Sequence, residues 1–189
     1  MKLPSLLLAL LSATAISAEV SPIRMSIEQI SKTATDPKDK TGHDKTQTRS
    51  LKIQLDNNSA ESFDGLAVKY WFLGRAMTEH AVKILSEGER KSSLAPRGKD
   101  VIESEVLSKH YVEAHAAAAA KGGKPGGAAA KVPASGDKIM GYAVRVMKDG
   151  KVLAESYSEP SYKDLVGKPG SEAHAPAAAA PGAKPAAKK

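Results

Sequence analysis

Apolar residues in this chain recur at every second position, in one short run after another, with turn-forming residues between the runs. That period is the two-residue repeat of a β-strand, whose side chains alternate between faces, and not the 3.6-residue repeat of a helix. Ile23, Met25 and Ile27 alternate with Arg24, Ser26 and Glu28 in a first strand that begins after Pro22. Leu51, Ile53 and Leu55 alternate with Lys52, Gln54 and Asp56 in a second. It ends at Asp56-Asn57-Asn58-Ser59, whose short polar side chains bond their own backbone and favour turns. Between the two, Thr35 to Lys45 is polar, contains Pro37 and Gly42, and reads as a loop.

The strongest strand is the third, Leu66 to Leu73. Leu66, Val68, Tyr70 and Phe72 share one face; Ala67, Lys69, Trp71 and Leu73 share the other. The second face is less polar than a solvated one, so something is expected to cover it. Val82, Ile84 and Leu85 form a short fourth strand ended by Glu87-Gly88, and Ser92 to Ala95 another. The latter stops at Pro96-Arg97-Gly98, where Pro fixes φ and Gly permits a positive one. Val101 to Leu107 alternates again. Finally Tyr142, Val144 and Val146 precede Asp149-Gly150, and Val152, Leu153 and Tyr157 follow it. Asp-Gly between two such runs is the preferred two-residue hairpin turn. About seven short strands and no long helix indicate an all-β chain, an antiparallel sandwich.

Two stretches break the pattern. Glu113-Ala114-His115-Ala116 and Glu172-Ala173-His174-Ala175 each lead into tracts of Ala, Gly, Pro and Lys. The run Ala116–Ala120 has the best helix propensity in the chain, predicting a short helix from about Ser108 that Gly122-Gly123 stops. Otherwise such tracts bury too little surface to offset ordering entropy, so residues 113–136 read as a disordered insert loop and 167–189 as a disordered basic tail. Of the formal net charge of +7, the insert carries two, the tail three and Lys2 one. The remaining domain is nearly neutral.

Met1-Lys2 followed by apolar Leu3 to Leu11 and small residues reads as a signal peptide, residues 1–18, cleaved after Ala15 or Ala18. No later run approaches the roughly 20 apolar residues of a membrane span. With no cysteine, neither disulfides nor a lipid anchor at the cleavage site are available. The expectation is a secreted protein of a bacterial periplasm or cell surface. Its single domain, residues 19–166, carries the insert and is held by burial alone.

Leu51-Lys52-Ile53-Gln54-Leu55-Asp56-Asn57-Asn58-Ser59, Leu66-Ala67-Val68-Lys69-Tyr70-Trp71-Phe72 and Ser93-Leu94-Ala95-Pro96-Arg97-Gly98-Lys99 together resemble bacterial immunoglobulin-like β-sandwich domains. In the last of these Arg97 separates the usual Pro-Gly pair. More loosely, the chain is similar to small secreted proteins of mucus-dwelling bacteria, some of them pilus-associated. That resemblance implies an adhesion or assembly role and supplies no binding residue.

No catalytic constellation is present: the Gly-x-Ser-x-Gly, His-Glu-x-x-His and phosphate-loop patterns are all missing. The expectation is a protein that is not an enzyme and needs no cofactor or metal. His43-Asp44 with Asp36 and Asp39 lacks the spacing of a calcium loop, and His110 and His115 lie five apart. Trp71, beside Lys69, is the candidate partner contact if its face is exposed; if it faces inward it is a core tryptophan. Lys184, Lys188 and Lys189 are candidate contacts to an anionic polymer, by charge alone and without specific nucleic-acid reading. The leading expectation is a non-catalytic binding or assembly module that meets another envelope or surface protein, for instance by strand addition. The alternative is a polyanion-binding protein acting through its tail.

Overall fold

The structure is a computed structural model that describes residues 21–39, 41–116 and 131–167. Its strands are β1 (Ile23–Thr35), β2 (Asp44–Asn57), β3 (Phe63–Ala76), β4 (Lys83–Leu94), β5 (Lys99–Glu103) and β6 (Leu107–Val112). There follow the two-residue β7 (His115–Ala116) and β8 (Lys131–Val132), then β9 (Ser135–Lys148) and β10 (Lys151–Tyr157). A single helical turn, α1 (Tyr162–Leu165), ends the described chain.

All pairings are antiparallel. One sheet has β2 at its centre, with β1 on one side and β5 and β6 end to end on the other. The second runs β4, β3, β9, β10. β9 belongs to both layers, because Ser135 and Gly136 pair with β6 before the strand crosses to β3. With β5 and β6 counted as one interrupted strand, the order is that of an immunoglobulin-like sandwich.

The core lies between the layers: Ile23, Leu51, Ile53 and Leu55 face Leu66, Val68, Tyr70, Phe72, Val144 and Val146. Burying a side chain of this kind contributes about 1.5–3 kcal/mol, so these positions dominate stability in a chain without disulfides. The hairpin at Asp149-Gly150 forms as the sequence predicts, with φ of 49° and 77°.

Five features depart from the sequence reading. The strands of the first hairpin run well past their apolar segments, to Thr35 and back from Asp44, so the polar loop is shorter than expected. β4 is one strand and Gly88 lies inside it, opposite Tyr70. A Cβ at this position would overlap the Tyr70 ring, so the glycine makes room for the aromatic and ends nothing. The strand expected over Val101 to Leu107 breaks at Ser104, whose Oγ accepts from the Leu51 N–H at 2.8 Å in place of a regular ladder bond. The helix expected from Ser108 is instead β6, since pairing with Asp44–Arg49 of β2 overrides alanine propensity. β7 and β8 pair with each other, and β9 starts at Ser135, so both ends of the expected insert are ordered. Residues 1–18, 117–130 and 168–189, where the leader, most of the insert and the tail were expected, lie outside the described residues.

At the β4–β5 turn it is Arg97, with φ of 54°, that takes the left-handed backbone, and not Gly98. Asn57 ties this turn to the one after β2. Its Nδ2 donates to the carbonyls of Glu61 (2.6 Å) and Ala95 (2.9 Å), and its Oδ1 accepts from Ser59 N–H (2.9 Å) and Oγ (2.8 Å).

Candidate binding surfaces

Tyr70 and Phe72 face the core, so alternation sends Trp71 to the outer face of β3. That face is not open. Trp71 is 8% exposed and packs with Leu73, Ala143 and Tyr162 beneath the C-terminal turn. Its Nε1 donates to Glu87 at 3.2 Å, and the Arg145 guanidinium stands beside its ring. Both sides of β3 are therefore buried, by two different covers. The indole is not available as the exposed partner contact that the alternation suggested. Lys69 is half-exposed and lies 3.7 Å from Glu89, the residue opposite it on β4. Lys184, Lys188 and Lys189 lie outside the described residues.

Arg145 is itself buried, at 3% exposure. Its Nε donates to Tyr157 Oη at 3.0 Å, and Tyr157 in turn donates to Glu155 at 2.8 Å. Lys163 of α1 also bonds Glu155. Burial pushes the Glu155 carboxyl up, but the hydrogen bonds from Lys163 and Tyr157, with the two nearby cations, hold it below its ordinary value. Burial and the Glu155 bond push the Tyr157 hydroxyl up. This network fastens the C-terminal segment to the sheet.

Three of the histidines, His43, His110 and His115, fall in two small polar groups. His43 and His115 stack with ring centres 4.4 Å apart beside Glu113, which accepts from Lys45 at 2.8 Å. His110 bonds Asp44 across the β2–β6 pair. Asp39 is used by its own loop: bonds from the Thr41 hydroxyl and the N–H groups of Asp44 and Thr41 hold it far below the usual carboxylate range. Among the described residues no three His, Asp or Glu side chains are placed to hold a metal ion. A shallow groove between β1 and β10 is lined by Ser21, Ile23, Met25, Val152, Leu153, Ala154 and Glu155. Its one carboxylate is the Glu155 already engaged by Lys163 and Tyr157.

What the described surface offers beyond these is strand edge, and the edges of β4, β10 and β1 differ. β4 is lined with charge, from Lys83 through Glu87, Glu89, Arg90 and Lys91, and its pairing with β3 is broken by irregularities. β10 carries a bulge between Val152 and Ala154, and the Leu153 carbonyl accepts from Ser21 Oγ at 2.6 Å. Charges and bulges are the usual guards of an edge. β1 has no bulge, and over its outer half its only charges are Glu28 and Lys32. Its 13 residues pair with β2 without a single register shift, and every residue from Glu28 to Thr35 is exposed.

The direction of the β1 polar groups follows from its two ends. Asp36 N–H donates to the Asp44 carbonyl, and Asn58 N–H to the Pro22 carbonyl, both at 2.9 Å. Both bonds continue the β1–β2 register, and in an antiparallel pair the bonded residues alternate. Even-numbered residues of β1 therefore bond β2, and the N–H and C=O groups of Ile27, Gln29, Ser31 and Thr33 point away from it. Sequence reasoning missed this segment because apolar alternation stops at Ile27. The β-branched residues Ile30, Thr33 and Thr35 were the available signal.

No protein family matches this chain, and no curated protein does. Among solved structures, a crystal structure of a protein from Akkermansia muciniphila is similar over 72% of this chain and 70% of that one, at 16% identity and a TM-score of 0.33. A likeness at that level carries no functional argument. No helix among the described residues is long and apolar enough to cross a membrane.

Proposed function

We propose that this chain is a non-catalytic binding or assembly module of a bacterial envelope or cell surface, and that it takes its partner by strand addition along β1. The observation that carries the reading is the outer half of β1, a regular and exposed edge whose alternate backbone groups face away from β2. An added strand satisfies those groups, and its side chains on the two faces of the sheet set specificity. The leader-like residues 1–18 and the absence of cysteine support an exported, burial-stabilised module.

The test is binding to bacterial envelope fractions across a salt series, for the full-length protein, a chain ending at residue 166, and Ser31→Pro. The Ser31 N–H faces outward, so proline there removes an edge donor and leaves the β2 ladder whole. Loss of binding in Ser31→Pro, with the shortened chain unaffected, is the expected result. Unchanged binding in Ser31→Pro overturns the edge reading. Steeply salt-dependent binding that vanishes with the tail supports the alternative, action through Lys184, Lys188 and Lys189 on an anionic polymer.

A further inference from the structure

We infer that the β1 edge is occupied by a second copy of this chain, the two β1 strands pairing antiparallel about a two-fold axis at Ile30. This rests on the strand-addition reading above and names the partner. The observation behind it is that β1 is complementary to itself in one register. Pairing Ile30 with Ile30 of the other copy sets Gln29 against Ser31, Glu28 against Lys32, and Ile27 against Thr33, each twice by symmetry.

Two independent features agree with that register. The first is the backbone. Ile30 is even-numbered and bonds β2, so at the axis it forms a non-hydrogen-bonded pair, and the flanking Gln29–Ser31 pairs exchange both N–H···O bonds through groups that already face outward. A register shifted by one residue on one strand would set outward-facing groups against inward-facing ones. The second is the side chains. Non-hydrogen-bonded pairs bring side chains closest, about 4.5 Å between Cα atoms, and these are the positions of Ile30 and of Glu28 with Lys32. All three residues share the solvent face of the sheet. Ile30 is 51% exposed, and covering it against its twin removes one of the few large apolar side chains left in water.

The surface is small. Seven residues from each copy fall below the size of a permanent interface, so the dimer is weak and forms as local concentration rises. Full-length protein should show a weight-average mass climbing from monomer towards dimer between about 10 µM and about 1 mM in sedimentation equilibrium. Glu28→Lys and Lys32→Glu each place like charges in contact twice, and each should weaken dimerisation at least about tenfold. The double variant Glu28→Lys/Lys32→Glu restores both pairs, and should return to within about threefold of wild type. Ser31→Pro should be monomeric throughout, with thermal unfolding of all variants checking that the fold is intact.

A wild-type protein monomeric at about 1 mM overturns the inference. So does dimerisation that Ser31→Pro leaves unchanged, or a double variant no better than the single ones. A monomeric wild type whose envelope binding is nonetheless lost in Ser31→Pro removes self-pairing and leaves the edge as a site for a different protein.

Discussion

The Arg145 guanidinium lies 5.7 Å from the centre of the Trp71 ring and 5.9 Å from that of Tyr157. A cation taken this far out of water needs partners, and it has them in Tyr157 Oη, the Glu155 carboxylate at 3.6 Å and the Val166 carbonyl. Two of these three come from β10 and the third from the segment after α1. The last turn of the described chain is therefore part of the sandwich, closing its outer face.

Removing that cover should be costly. Tyr162 is 2% exposed and packs on Trp71, so Tyr162→Ala should destabilise by about 3–5 kcal/mol in urea unfolding. Trp71 is the chain's one tryptophan. The same variant should shift its emission to the red while still folded, whereas an unchanged spectrum would show that the turn does not shield the indole.

Asn57 uses both ends of its amide to hold two turns together. Asn57→Ala removes all four bonds of a buried amide, although the Ala95 and Glu61 carbonyls keep bonds from Gly98 N–H and Ser59 Oγ, and should cost about 1–2 kcal/mol. A cost below about 0.5 kcal/mol would show that water replaces the clamp.

Gly88→Ala forces a methyl group into the Tyr70 ring and should destabilise by about 1–3 kcal/mol. In a Tyr70→Leu background the penalty should largely vanish. A double-mutant cycle with no coupling would contradict the packing described.

Arg97 holds a left-handed backbone at a cost of about 1 kcal/mol relative to glycine. Arg97→Gly should raise the unfolding midpoint, by up to that amount less the flexibility gained by the unfolded chain. A lowered midpoint would mean that the Arg97 side chain contributes more than its strain.

Glu155 is held below its ordinary value of 4.5 when folded. A carboxylate lowered on folding stabilises the protein above its unfolded pKa, and that contribution is lost as the pH falls through the lower folded value. Stability should therefore decline below about pH 4.5, and Glu155→Gln should flatten the slope there. An unaltered acid limb would place the lability elsewhere, Glu113 beside Lys45 being the next carboxylate to test.

The parts of the fold legible in the sequence were those where burial writes the period of two: Leu51 to Leu55, Leu66 to Leu73 and the hairpin around Asp149-Gly150. What escaped were strands with little apolar surface to bury: nothing from Glu28 to Thr35 is buried, and of Leu107 to Val112 only Tyr111 is. Both are strands because β2 pairs with them, and backbone pairing itself leaves no trace in the apolar pattern. Gly88 misled because a glycine that ends a strand and one that admits a ring look alike until the partner opposite is known. At Trp71 the alternation correctly opposed the indole to Tyr70 and Phe72, but the cover over it lies some 90 residues along the chain at Tyr162.

The β7–β8 pairing has a practical corollary. Because His115 sits opposite Val132 and Ala116 opposite Lys131, the two ends of the interval 117–130 are clasped at the fold's own expense. Lengthening a closed loop costs only about 0.6 kcal/mol per doubling. The clasp is thus a docking port for engineering: an epitope, a fluorophore-binding peptide or a small folded passenger spliced between Ala116 and Lys131 should ride on the sandwich without entering its core.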